Sequence, residues 1–203
     1  MLLCGIDEAG RGALAGPVYA AAVILPDAFD ASILNDSKKL SPQKREKARA
    51  AILEHALFWH IAWASQEQID TLNILQATLI AMKEAFEQVF MRYAAHIPRD
   101  TLKVIVDGNQ VPALHGDFEL CAEPHADGLY PCVMAASILA KTERDRCMME
   151  YHKLYPHYRY DLHKGYGTVL HRALLEQYGP SPIQRHSFKV KNTSSGAISP
   201  EGR

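Results

Sequence analysis

The sequence predicts a mixed α/β sheet flanked by helices. Strand-like runs at residues 2–7, 18–25 and 103–107 are almost entirely apolar, as in a sheet covered on both faces. Two further strand candidates span 59–65 and 118–122. Three strands come first, followed by helices alternating with the last two, an order that suits a mixed sheet with helices packed on it.

The first run stops at two adjacent acids, Asp7 and Glu8, followed at once by Gly10-Arg11-Gly12 and the second run. Ser41-Pro42 starts a helix, with a capping hydroxyl before a proline at the first helical position, and that helix reaches about residue 57. A longer helix is expected over 67–95. Its Leu72, Leu75, Leu79, Met82, Phe86, Val89 and Tyr93 recur at three- and four-residue steps and form one core-facing stripe. A third helix runs from near Pro131 to about 154. A fourth spans 168–178 and stops at Gly179-Pro180. The small polar tail, 192–203, reads as disordered and leaves one domain over 1–191.

Composition narrows the class. The chain has 203 residues, 48% of them hydrophobic, enough for one domain with a proper core. No stretch of about eighteen apolar residues predicts a membrane span. The first residues lack the basic region and cleavage site of a secretory signal. Cys4, Cys121, Cys132 and Cys147 are scattered, which points to reduced thiols in a cytoplasmic protein rather than a disulfide framework or zinc site. The net charge is -1, so distribution matters more than total. Lys38, Lys39, Lys44, Arg45, Lys47 and Arg49 cluster with only Glu46 against them, and Arg185, Lys189 and Lys191 form a second group. On charge alone both read as solvated faces.

Side chains alternate along a strand, so Asp7 and Glu8 reach one site only if the chain breaks step at the strand's end. A second strand also ends on an acid, Asp107, and a third acid, Asp127, precedes the third helix. Asp107-Gly108-Asn109 also reads as a turn, and Asp127 as a helix cap. Clustered at one sheet edge, such carboxylates repel unless a cation sits among them, and hard Mg²⁺ or Mn²⁺ takes oxygen ligands. The glycines beside them let backbone approach a ligand, and Arg11 can fork onto phosphate oxygens. Together these features suit a phosphodiester substrate.

GIDEAGRGALAGPV closely resembles the N-terminal signature of bacterial ribonuclease HII, the type 2 ribonuclease H family. NDSKKLS, VIVDGN, AASILAKTERD and HKGYGT resemble further segments of that family in its order, and the likeness covers about residues 2–188. It implies a ribonuclease H-like fold with a five-stranded sheet and a C-terminal helical extension. It also implies an endonuclease that cuts RNA in RNA–DNA hybrids and incises 5′ of single ribonucleotides in duplex DNA, leaving 3′-hydroxyl and 5′-phosphate ends. The substrate partners are then nucleic acids, with no membrane and a monomeric enzyme.

The family's metal-binding acids map onto Asp7, Glu8, Asp107 and Asp127, with Mn²⁺ or Mg²⁺ as cofactor and two ions when substrate is bound. Its Gly-Arg-Gly element maps onto Gly10, Arg11 and Gly12, toward the 2′-hydroxyl. Its tyrosine maps onto Tyr166, which would sense the step from ribose to deoxyribose. Lys38 and Lys39 would bind backbone phosphate. Ser137, Lys141 and Arg144 share a helix face that can meet phosphate too; for Lys141 and Arg144 the alternative is surface charge paired with Asp145 or Glu150. Two departures stand out: Ala13 where the family usually has proline, loosening the loop, and Gln184 at a usual histidine. A catalytically silent hybrid-binding protein would lack acids that are all present here. A DNA-specific phosphoesterase would have no use for a 2′-hydroxyl sensor.

Overall fold

The computed structural model describes residues 1–34, 40–96 and 101–189. Five strands, β1 (Leu2–Ala9), β2 (Val18–Ile24), β3 (Phe58–Ala64), β4 (Leu102–Asp107) and β5 (Glu119–Glu123), form one sheet in the order β3-β2-β1-β4-β5. The first three run antiparallel, whereas β4 and β5 run parallel to β1. The helices are α1 (Pro42–His55), α2 (Gln66–Leu72), α3 (Ile74–His96), α4 (Pro131–Leu154), α5 (Tyr160–His163) and α6 (Val169–Tyr178).

Local chemistry sets the boundaries. The Ser41 hydroxyl accepts from the Lys44 N–H to start α1, and Thr168 accepts from the His171 N–H to start α6. Gly179, at φ 75°, ends α6. The single helix expected over 67–95 is two. Asn73, at φ 72°, breaks it, and its side chain accepts from the Gln76 N–H to cap the second piece. With the break, Ile69 of α2 packs with Val18, Ala64 and Ala77 while Leu72 is exposed. The buried stripe therefore begins on α3, at Ala77 and Thr78.

Met82, Phe86, Val89 and Tyr93 of α3 cover one sheet face against Ile6, Ala20, Ala22, Val104 and Val106. Ile52 of α1 with Ile138 and Leu139 of α4 cover the other face against Ala21 and Val23. Each large apolar side chain enclosed this way contributes about 1.5–3 kcal/mol. Coverage on both faces is why β1, β2 and β4 read as unbroken apolar runs.

The basic face of α1 is not simply solvated. Arg49 pairs with Glu143 at 3.0 Å, Arg45 lies 3.9 Å from Asp145, and Glu46 accepts from Arg146 at 2.7 Å, so charges seam α1 to α4. The four cysteines are free thiols. Among the described residues no helix is long and apolar enough to cross a membrane. Lys38, Lys39 and the tail 192–203 lie outside the described residues.

Candidate active site

The strand β1 does not stop at its acids. It continues to Ala9, with Asp7 opposite Ala21 and Glu8 opposite Ala20, so the two carboxylates alternate as strand residues must. Asp7 faces α4, where Ser137 hydrogen-bonds it. Glu8 shares the α3-facing side with Ile6 and Ala20. The expectation that both acids leave the strand together is corrected on this point.

The close fit of β1 to α4 depends on Gly5, where a Cβ would lie 2.3 Å from the Cys132 carbonyl carbon. Parallel pairing puts Ile6 beside Val106, and one step further Asp7, within β1, and Asp107, at the end of β4, lie on the α4 side. Asp107 accepts from the Ala126 N–H at 2.8 Å and so fixes the turn that carries Asp127. Carboxylate oxygens of Asp7, Asp107 and Asp127 lie within 4.8 Å of one another.

Burial, and then the neighbouring Glu8 carboxylate, hold the Asp7 carboxyl well above its ordinary range; Asp107 adds to this and the Ser137 hydroxyl opposes it. Burial also raises Glu8, against the pull of Arg11, whose guanidinium lies 3.2 Å away. The second Glu8 oxygen is buried without a hydrogen-bond partner. An all-oxygen donor set, like charges pressed together and an unsatisfied carboxylate oxygen beside them fit a hard divalent cation.

Beside the acids lies the loop after β1. The Ala13 N–H donates to the Gly10 carbonyl at 3.3 Å, a bond that proline could not make, so alanine restores some of the order that proline would give. Residues 13–16 then run between two other segments. Ala13 bridges Tyr166, and the Leu14 N–H donates to Gly165 at 2.8 Å. Ala15 bridges Gln184, and the Gly16 N–H donates to Ile183 at 2.8 Å. Both family departures thus sit in one small three-stranded arrangement. A Cβ on Gly12 would meet open space.

The remaining expected residues fall differently. Ser137 is buried and bound to Asp7, not turned to a phosphate. Lys141 donates to Asp145 at 2.6 Å and lies 5.7 Å from the Tyr166 ring centroid. Arg144 is fully enclosed, which excludes both the surface pair and the phosphate contact. Arg185 is also fully enclosed, contrary to its reading as part of a solvated basic group. His171, missed in the sequence, is buried with its ring 4.2 Å from that of His163, and its Nδ1 lies 3.0 Å from the Tyr166 carbonyl. No periodicity marks these three; their burial comes from the chain's return past the first loop.

A mixed sheet that brings together Asp7 of β1, Asp107 at the end of β4 and Asp127 of the turn before α4 defines a ribonuclease H-like hydrolase fold. The ribonuclease HII family model matches residues 4–191. The ribonuclease HII of Treponema denticola is 51% identical over 197 residues, covering 94% of this chain and 100% of that protein. The crystal structure of ribonuclease H2 from Pyrococcus horikoshii superposes with a TM-score of 0.71 at 25% identity, covering 94% of this chain and 95% of that one. A structure of Bst-RNase HIII in complex with Mn²⁺ shares the fold, with a TM-score of 0.70 at 17% identity over 88% of this chain and 63% of that one. The chain belongs to the ribonuclease HII family and is a ribonuclease H enzyme.

Proposed function

We propose that this ribonuclease hydrolyses the RNA strand of RNA–DNA hybrids and also incises duplex DNA on the 5′ side of a single ribonucleotide, leaving 3′-hydroxyl and 5′-phosphate ends. The observation that carries this reading is the contact between two elements. The Gly10–Gly12 loop lies directly after the acids, and Tyr166 is bridged to it through Ala13. A 2′-hydroxyl bound against the loop is thereby held beside the carboxylates. The Tyr166 ring would pack on the next sugar, where deoxyribose fits and an added hydroxyl clashes.

Asp7, Asp107 and Asp127 would hold the divalent cation, Mn²⁺ or Mg²⁺, and Glu8 would turn its unsatisfied oxygen to a second ion when substrate is present. Bound there, such ions would supply Lewis-acid chemistry, lowering the pKa of an attacking water and neutralising charge on the leaving 3′-oxygen. The chain's own part is placement. Ser137 orients Asp7, the Ala126 N–H orients Asp107, and Arg11 pairs with one oxygen of Glu8. Lys38 and Lys39 would contact backbone phosphate, with Lys141 supporting the Tyr166 ring. The enzyme would act as a monomer in the cytoplasm.

The test is cleavage of two DNA duplexes, identical except for one internal ribonucleotide, each with Mn²⁺, with Mg²⁺ and with EDTA. A single metal-dependent cut 5′ of the ribonucleotide, absent from the all-DNA duplex, is expected. Equal cutting of both duplexes would reduce the protein to a general nuclease and remove the role given to Gly10–Gly12 and Tyr166.

A further inference from the structure

Arg144 and Arg185 are fully enclosed, and among the described residues no carboxylate lies within ion-pair distance of either. Burying such a charge costs several kcal/mol, and an apolar side chain of similar volume would often serve stability as well. Both guanidiniums instead donate to main-chain carbonyls around the loop, and the second terminal nitrogen of Arg185 is buried without a hydrogen-bond partner. Arg144 donates through Nε to Pro17 at 3.0 Å, and through its terminal nitrogens to Lys164 at 2.9 Å and Ala15 at 3.2 Å. Arg185 donates through Nε to Gly16 at 2.8 Å, and through one terminal nitrogen to Ala13 at 2.8 Å and Arg11 at 3.1 Å.

These six carbonyls belong to the loop after β1 and to the turn before Tyr166. Arg144 touches both: its guanidinium also lies 5.1 Å from the Tyr166 ring centroid, within cation–π range. Arg185 ties the loop to the segment after Ser181. Asp70 of α2 pins that segment, accepting from the N–H groups of His186 at 2.9 Å and Ser187 at 2.8 Å and from the Ser187 hydroxyl at 2.6 Å.

We propose that Arg144 and Arg185 are positioning residues for ribose selection, fixing the Gly10–Gly12 loop against Tyr166 without touching substrate. The planar fork is what the site uses, since one cation must satisfy several carbonyls in fixed directions. Lysine keeps the charge and loses the fork. This proposal rests on the reading of Gly10–Gly12 and Tyr166 as the ribonucleotide-contacting pair.

The test compares wild type with Arg144→Lys. It measures kcat/KM on a duplex with one ribonucleotide and on a long RNA–DNA hybrid, and Mn²⁺ binding to the free protein by calorimetry. A displaced loop should lower kcat/KM on the single-ribonucleotide duplex by about 10- to 100-fold, the scale of a 1 Å misplacement. The hybrid, which offers a 2′-hydroxyl at every register, should lose less, and Mn²⁺ affinity should stay within about twofold of wild type. Equal losses on both substrates together with weaker Mn²⁺ binding would show a merely structural role and overturn the proposal, as would wild-type selectivity. Should Arg144→Lys fail to fold, Asp70→Ala decides. It releases the Arg185 segment from a partly exposed position outside the loop, and unchanged selectivity there overturns the proposal. Failure of the wild type itself to prefer the ribonucleotide duplex would sink the proposed function, a result distinct from any of these.

Discussion

Arg144 is packed so closely on Gly10 that a Cβ at that glycine would lie 2.0 Å from the arginine Nε. Gly10 also sits at φ +100°, where side chains are disfavoured. Gly12, two residues on, faces open space. The two glycines of one motif therefore have different reasons to be glycine. Gly10→Ala should destabilise the fold by about 2–4 kcal/mol, combining overpacking with backbone strain. Gly12→Ala should leave stability within about 0.5 kcal/mol and lower kcat/KM, because its methyl group enters the space reserved for substrate. Urea denaturation beside steady-state cleavage separates the two. Equal stability losses would refute the distinction.

Asp7 is strained by burial and by its neighbours. Its carboxyl is held well above the ordinary range by burial and then by Glu8. Asp7→Asn keeps the shape and removes one of three crowded charges. The metal-free variant should therefore melt higher than wild type, by about 2–4 °C for each kcal/mol recovered, while cleavage is lost. Saturating Mn²⁺ should stabilise the wild type by about 2.7 kcal/mol at a hundred times Kd and the variant much less. A thermal melt with and without metal checks both halves. A metal-free variant melting lower than wild type would contradict the assigned repulsion.

The sheet was legible because burial on both faces writes itself as apolar runs, and Asp7, Asp107 and Asp127 because each sits where such a run or a helix begins or ends. Glu8 was legible as an acid but not in its facing. Nothing at Ala9 signals that β1 continues, and a carboxylate that stays in the strand alternates with its neighbour instead of joining it on one side. Arg144 and Arg185 were misread for a different reason. A sequence displays charge but not the carbonyls that satisfy it, and these come from residues 127 to 174 positions away in the loop after β1 and, for one bond of Arg144, from Lys164. The α2–α3 break was hidden because Leu72, Leu75 and Leu79 keep helical step across it.

That break yields a prediction of its own. Asn73 combines φ 72° with ψ 163°, a region that is essentially glycine's. Asn73→Gly relieves strain of about 1–3 kcal/mol and gives up a capping bond worth a few tenths. A net gain of about 1 kcal/mol is expected, read as a higher urea midpoint with unchanged slope. A loss of stability would show that the Asn73–Gln76 cap outweighs the backbone strain.

The buried imidazoles make the fold acid-sensitive at the Tyr166 turn. Burial, and then the neighbouring His163, lower the His171 pKa from its ordinary 6.5 to about 4. Its Nδ1 faces the Tyr166 carbonyl, which can only accept, so that nitrogen carries the proton of the neutral ring. The folded state thus binds a further proton less readily than the unfolded chain. The stabilisation is full above about pH 6.5 and is lost as pH falls toward about 4. Between pH 7.5 and 5.0 this should cost about 2 kcal/mol. His163, likewise lowered by burial, adds in the same direction. His171→Gln removes the titrating ring. It should be less stable than wild type at pH 7.5, because the packing against His163 and Tyr160 is lost, yet show a flatter decline toward pH 5.0. Urea midpoints at the two pH values measure the slope directly. An identical slope in both proteins would place the acid sensitivity elsewhere, and not in Asp7 or Glu8, whose raised pKa values favour the folded state as pH falls.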